Sequence, residues 1–538
     1  MVMVVTRKAA VVMIFFMLFI FSLAHASKVK NPNWEVQGQV IDSDSGKPIK
    51  SAMVTVGNDV TLTDENGKFT VQGQAAMIGF RAYGYRRSTM TVPESSGSAA
   101  FNVGLKPIRP KALYLTNYGI GDRSLRGNAL KLINETELNS LVIDVKGDRG
   151  MITYKSNIPL AEDISAQKLV IVKDIKGLLT ALKERGIYTI ARIVVFKDNV
   201  LGAARPDLAI KTASGQLWRD REGIIWMDAS KKEVWDYNID IAEEAARNGF
   251  DEIQFDYVRF PDEKGPRFSM ENTEANRVNA ISGFLQEARR RLIPYNVFLS
   301  ADIFGYVAWN LNDTKIGQRL DCIAASVDYL ALMLYPSGFQ FGIPGYTNPV
   351  EHPYEIISRT LESAQQRSGL PAVRFRPWLQ GFRDYAFDKR IFAGPEIRTQ
   401  INAADSFGAG GWMIWNPRNV YLAQGLNKAE SGKEMLDQAG KPSYTNLVEH
   451  RSESTSPALE REQMRFDLPA VGFSPWLRWY RDYVFDRGRS FSGPKTTTRY
   501  NGAEPVEAED WMPDNPRYVY LVLGLNKDPQ REIILSRR

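Results

Sequence analysis

Three aspartates stand where apolar strands ought to have none. In "GFDEIQFDYVRFPDE" (249–263), Phe250, Ile253, Phe255, Tyr257 and Val258 mark a strand buried on both faces, yet Asp256 lies inside it. A carboxylate in that setting is costly unless it is paired or used. Side chains alternate along a strand, which puts Gln254, Asp256 and Val258 on one face. The same alternation groups Val142, Asp144 and Lys146 in "SLVIDVKG", and Phe298, Ser300 and Asp302 in "NVFLSADIFG". Neighbouring strands presenting carboxylates at one rim supply the acid and base pair that glycosidic cleavage requires. Each aspartate also has a plainer use: Asp144 can pair with Lys146, Asp256 with Arg259 or Arg192, and Asp302 can cap the loop that follows it.

Other chemistries lack their parts. Of the three histidines, His25 lies in an N-terminal leader, His450 in a polar linker and His352 alone in "NPVEHPY", so neither a Ser-His-Asp triad nor a histidine zinc site is expected. No G-x-S-x-G elbow or phosphate-cradling loop is present. The expected reaction calls for no metal and no cofactor. Tyr335 in "LMLYPSG", Trp378 and Gln380 in "PWLQGF", and Trp412, Trp415 and Asn416 in "GGWMIWNP" suit a carbohydrate cleft, because rings stack on sugar faces and amides bond hydroxyls. Trp412 suits the barrel core equally well. Lys146, Arg259 and Tyr335 are expected to hold charge or hydroxyls beside the carboxylates, with Asp144 as a further substrate contact.

The elements that must position these residues repeat in a regular order. Between residues 111 and 428, the runs "KALYLTNY", "SLVIDVKG", "YTIARIVVF", "EIQFDYV", "NVFLSADIFG", "DYLALMLYP", "VRFRPWLQGF" and "GGWMIWN" alternate with helical patterns such as Ile175, Leu178, Leu179 and Leu182. Gly186, Gly249 and Gly369 stand where helices stop. Eight such units predict an α/β fold of the (β/α)8 TIM-barrel class, with the chemistry at the strands' C-terminal ends. A doubly wound open sheet is the weaker alternative, since no Gly-rich dinucleotide fingerprint follows the first strand.

From Trp34 to about Lys106, short alternating stretches separated by "SDSGKP" and "DENGK" predict a small β-sandwich over 34–107. Gly38-Gln39-Val40-Ile41-Asp42, Gly46-Lys47-Pro48-Ile49, Ala52-Met53-Val54, Thr63-Asp64-Glu65-Asn66-Gly67-Lys68-Phe69 and Gly84-Tyr85 resemble the frame of carboxypeptidase regulatory-like domains. The resemblance implies a non-catalytic module for spacing or adhesion. Upstream, Arg7 and Lys8, the apolar run Ala9 to Leu23 and Ala24-His25-Ala26 read as a signal peptide over 1–26. That run is shorter than the ~20 residues that span a bilayer. Export to the periplasm, the envelope or beyond is expected, with no stable membrane span after cleavage; an uncleaved anchor is the alternative. Cys322 is the sole cysteine, so no internal disulfide can form.

Residues 431–468 read as a polar linker, and 469–538 as a partial repeat: "PAVRFRPWLQGFRDYAFDKR" (371–390) recurs as "PAVGFSPWLRWYRDYVFDRG" (469–488). The copy has Pro513 and Asp514 where the eighth barrel unit has Ile414 and Trp415, so its strand is not expected to form. Lysine plus arginine total 68 against 62 acidic residues, mixed along the chain, so nucleic acid is not an expected partner.

The segments "YLTNYGIG", "VIDVKGDRGMITY", "FDYVRFPDE", "SADIFGY", "MLYPS" and "GGWMIWNP", spanning about 111–428, resemble an uncharacterised glycoside hydrolase domain family distantly similar to alpha-amylase-type barrels. By strand position the resemblance implies Asp256 as nucleophile and Asp302 as general acid. Where amylase-type barrels carry an arginine two residues before the nucleophile, this chain has Gln254, and the usual fifth-strand glutamate is an aspartate. The expected activity is hydrolysis of an envelope or extracellular polysaccharide. The alternatives are a barrel that binds glycan without cutting it and a purely structural envelope protein.

Overall fold

The computed structural model describes residues 34–92 and 99–429. The leader at 1–26, the linker at 431–468 and the repeat at 469–538 lie outside the described residues. Among those described, no helix is long and apolar enough to cross a membrane.

Seven short strands build the N-terminal sandwich: β1 (Trp34–Asp42), β2 (Met53–Val56), β3 (Asp59–Leu62), β4 (Lys68–Gly73), β5 (Met77–Arg81), β6 (Ser88–Thr91) and β7 (Ala99–Leu105). They form two sheets, ordered β4-β1-β7 and β3-β2-β5-β6. Val36, Val40, Val54, Phe69, Ile78 and Phe80 are buried between them. The "DENGK" turn closes because Asp64 Oδ1 accepts from the backbone N–H of Asn66 and of Lys68, both at 2.8 Å. Gly67 there has φ +70°, and a Cβ would sit 2.4 Å from the Val40 carbonyl, so only glycine fits.

Eight parallel strands close the barrel as expected: β8 (Lys111–Leu115), β9 (Ser140–Lys146), β10 (Tyr188–Val194), β11 (Glu252–Asp256), β12 (Phe298–Phe304), β13 (Tyr329–Met333), β14 (Trp378–Gln380) and β15 (Trp412–Trp415). The last pairs with the first through Met413 and Ala112, which leaves no edge. One face of each strand packs on the helices; Leu178, Leu179 and Leu182 of the helix at Ile175–Glu184 join this outer core. The other face fills the lumen with Tyr114, Val142, Tyr188, Ile190, Phe298, Tyr329, Trp378 and Met413.

The sandwich sits on the N-terminal end of the barrel. Met53 belongs to the lumen core rather than to the sandwich's own. Arg81 donates to Asn296 Oδ1 at 3.2 Å, Arg87 to the Phe250 carbonyl at 2.8 Å, and Gly84 N–H to the Tyr329 hydroxyl at 3.2 Å. Just inside this seal, Arg376 pairs with Glu252, both essentially without solvent. Tyr188 donates to the same carboxylate at 3.0 Å, and the guanidinium lies 4.0 Å from the Tyr329 ring centre. One end of the lumen is thereby closed, and chemistry is confined to the other.

Removing one partner of a buried ion pair strands the other charge. Arg376→Met is therefore expected to destabilise the protein by about 3–5 kcal/mol, and Glu252→Gln added to it to recover much of that loss. Guanidinium chloride midpoints of the two variants check this; a single variant as stable as wild type would contradict it.

Candidate active site

Four strands bring their lumen-facing C-terminal residues together: Asp144 from β9, Arg192 from β10, Asp256 from β11 and Asp302 from β12. All four are buried. Arg192 is the centre. Its Nη1 donates to Asp144 Oδ1 at 2.7 Å, and its Nε and Nη2 both donate to Asp256 Oδ2, at 3.0 and 2.5 Å. The same Nε lies 3.9 Å from Asp302 Oδ2. Tyr114 donates to the other oxygen of Asp144 at 2.7 Å, and the Trp378 indole to Asp302 Oδ1 at 2.7 Å.

The backbone after Asp256 contributes as well. Tyr257 has φ +50°, a left-handed conformation that side chains rarely adopt. It turns the Tyr257 N–H back onto Asp256 Oδ1 at 2.5 Å. Three donors thus converge on Asp256, two of them charge-assisted. Beneath the guanidinium, Tyr114 and Trp415 are stacked, with centroids 3.9 Å apart and planes within 12°. Arg192 lies 4.9 Å from the Trp415 ring centre and 5.4 Å from that of Tyr114, which favours a fixed cation.

Burial and neighbouring charge shift several of these groups. Burial works against the charge of Arg192, but Asp144 and Asp256 outweigh it and hold the guanidinium well above its ordinary pKa. Burial raises Asp144 in spite of Arg192. Burial, and then the negative charge of Asp256, raise Asp302 well above the usual carboxylate range; Arg192 and Trp378 only partly oppose them. Tyr335 is raised by burial and then by the charges of Asp302 and Asp256.

Of the residues picked out in the sequence, Asp144, Asp256, Asp302, Tyr335, Trp378 and Trp415 meet here; five others do not. Lys146 was expected on the face of Asp144, but the pairing register slips at this point: Asp144 lies opposite Arg192, and Lys146 opposite the next residue, Ile193. This bulge turns Lys146 into the helix layer, where it has no exposure, pairs with Asp198 at 2.7 Å and lies over the Tyr237 ring. Arg259 binds Asp262 at 3.2 Å and packs among Phe304, Trp226 and Tyr257, so it supports the loop after Asp256 and does not touch the carboxylates. Gln380 spends its amide on Ser337 and the Phe382 carbonyl. Asn416 spends its own on the Gly381 and Val420 carbonyls and the Arg418 N–H. Both amides shape loops. Trp412 is fully buried in the outer core.

Arg192 and Tyr114 are the residues that the sequence reading undervalued. The signal was present: an arginine within the apolar run "YTIARIVVF" raises the same question as Asp256 does. Arg192 reaches Asp256 from the adjacent strand. Among the described residues, no group of three or more His, Cys, Asp or Glu side chains is placed to hold a metal ion.

Residues 112–421 match a family model described as "Putative glycosyl hydrolase domain". No curated protein matches the chain. Solved structures similar to it include a hypothetical protein from Ruminiclostridium thermocellum, 40% identical over 35% of this chain and 96% of that one, with TM-score 0.32. The glycoside hydrolase domain of PgaB (BpsB) from Bordetella bronchiseptica is 14% identical over 58% of this chain and 95% of that one, with TM-score 0.43. Catalytic domain 2 of an Ostrinia furnacalis Group II chitinase is 12% identical over 58% and 91%, with TM-score 0.35.

A carboxyl whose folded pKa is raised gives stability that is complete below the unfolded value, ~3.9 for aspartate, and is lost as pH climbs towards the folded value. Asp302→Asn has no such loss. Relative to wild type, the variant is therefore expected to gain in urea midpoint from pH 4 to pH 8. A difference that does not change with pH would contradict the raised acid.

Proposed function

Since the chain belongs to the glycosyl hydrolase domain family, we propose that it hydrolyses glycosidic bonds of a polysaccharide with Asp256 and Asp302 as the working pair. The observation that carries this reading is the contrast between the two acids. Asp256 accepts from Arg192 and from a backbone N–H, while Asp302, buried beside it, is pushed well above the usual carboxylate range by burial and then by the charge of Asp256. A glycosidase needs one carboxylate of each kind. Asp302 protonates the leaving oxygen as its bond to the anomeric carbon breaks, with the bonding pair going to that oxygen. Asp256 meets the positive charge that develops on the ring.

Both acids approach the same Arg192 Nε, at 3.0 and 3.9 Å, so their Oδ2 atoms stand within about 7 Å, which is compatible with the ~5–5.5 Å of retaining enzymes, the route taken here. Asp256 then forms a glycosyl ester, and Asp302, now ionised, removes a proton from the water that cleaves it. Trp415 and Tyr335, both half-buried, offer the sugar a ring face and a hydroxyl. The leader expected at 1–26 would place the substrate in the envelope or outside the cell, with the sandwich as the spacing module.

Purified protein is expected to release reducing ends from at least one member of a polysaccharide panel that includes peptidoglycan and acidic exopolysaccharides. Asp256→Asn and Asp302→Asn should each lower that rate by roughly 10²–10⁴-fold without unfolding the chain. Asp302→Asn should spare aryl glycosides, whose acidic leaving group needs no proton; Asp256→Asn should not. Wild-type activity is expected to fall as pH rises through the raised pKa of Asp302. Glycan retention with no reducing ends from wild type would favour a binding protein instead.

A further inference from the structure

Trp378 sits under the acid with its indole fully enclosed. The ring stands edge-on to Tyr114 (6.2 Å, 88°) and to Trp415 (5.4 Å, 86°), the two rings that stack on each other beneath Arg192. Its backbone is fixed as well, through the carbonyl that accepts from Leu334 N–H at 3.1 Å. One aromatic stack thereby holds both the cation that grips Asp256 and the indole that grips Asp302.

An indole nitrogen donates and cannot accept. The Asp302 oxygen it touches, Oδ1 at 2.7 Å, must therefore act as an acceptor, and in a protonated carboxyl the acceptor placed against an N–H is the carbonyl oxygen. The hydroxyl must be the other one. Among the described residues Oδ2 has no hydrogen-bond partner; its nearest cation is Arg192 Nε at 3.9 Å.

We propose that Trp378 is the positioning residue of the acid: its N–H confines the Asp302 proton to Oδ2, the oxygen that faces Arg192 and Asp256, where the scissile bond must lie. This rests on the assignment of Asp302 as general acid. Without the N–H, the proton divides between the two oxygens, and only part of the population points it at the leaving group. The same bond favours the ionised form, so its loss makes the acid weaker.

Trp378→Phe keeps an aromatic ring and removes the donor. The rate on natural glycan is expected to fall roughly tenfold or more, with KM changed little and the alkaline limb of the pH profile moved upward. An aryl glycoside with an acidic leaving group is expected to lose far less. Trp378→His, which retains a ring N–H, should move the limb back towards wild type. A wild-type limb and rate in Trp378→Phe would overturn the proposal, as would an equal loss on both substrates, which marks a merely structural role. Should the phenylalanine variant fail to fold, infrared spectroscopy of the wild-type chain decides. The carboxyl C=O stretch that disappears in Asp302→Asn is expected at the frequency of a hydrogen-bonded carbonyl, and a free-carbonyl frequency would overturn the proposal. If Asp302→Asn itself proves fully active, the assignment of the acid fails; if it is inactive while Trp378→Phe behaves as wild type, only the role of Trp378 does.

Discussion

One guanidinium organises the open end of this barrel. Arg192 binds Asp144 and Asp256 directly and stands within 4 Å of Asp302. With a single buried cation among three buried acids, not all of them can ionise cheaply. The hydrogen bonds decide how the charge is shared. Asp256 receives two guanidinium donors and a backbone N–H, whereas among the described residues the Asp302 carboxyl receives the Trp378 indole alone. Two chemically identical side chains thereby sit in different surroundings. The Tyr114–Trp415 stack keeps the cation in place, and the left-handed turn at Tyr257 keeps Asp256 in place.

The rest of the fold closes the lumen below that charge cluster. The sandwich lends Met53 to the lumen core and closes the N-terminal end. The Glu252–Arg376 pair is a second buried charge system, on the same strand as Asp256 but at the sealed end. Its charges cancel within the pair, so the barrel floor stays neutral while the carboxylates above it share Arg192. The position of the sandwich also gives it a role in stability that a mere spacer would lack: arginines 81 and 87 both donate into the barrel.

The sequence revealed the fold and the central acids because both follow from period-two alternation in runs that are otherwise apolar. Asp144, Asp256 and Asp302 face the lumen as that alternation requires. The misplacement of Lys146 has the same origin: one slip of register in β9 sends the next residue to the opposite face, and nothing in "VIDVKG" announces a bulge. Gln380 and Asn416 look like free amides in a strand end, but local carbonyls and a serine claim them. Such short-range bonds depend on loop paths that composition does not disclose. Arg192 was legible in principle, since a charged residue in a buried strand needs a partner, and the partners had already been picked out. The division of labour between Asp256 and Asp302 depends on distances, which only the folded chain supplies.

Burial beside the Asp256–Arg192 pair sets the Asp302 carboxyl apart. Carboxyl ¹³C resonances of aspartate-labelled protein, assigned by their loss in Asp256→Asn and Asp302→Asn, test it without any substrate. The Asp302 resonance is expected to titrate well above the ordinary aspartate range, held there by burial and then by the neighbouring charge of Asp256, and to move higher still in Arg192→Met, which loses the cation that opposes the shift. An Asp302 resonance that titrates near the ordinary ~3.9 of aspartate would contradict it.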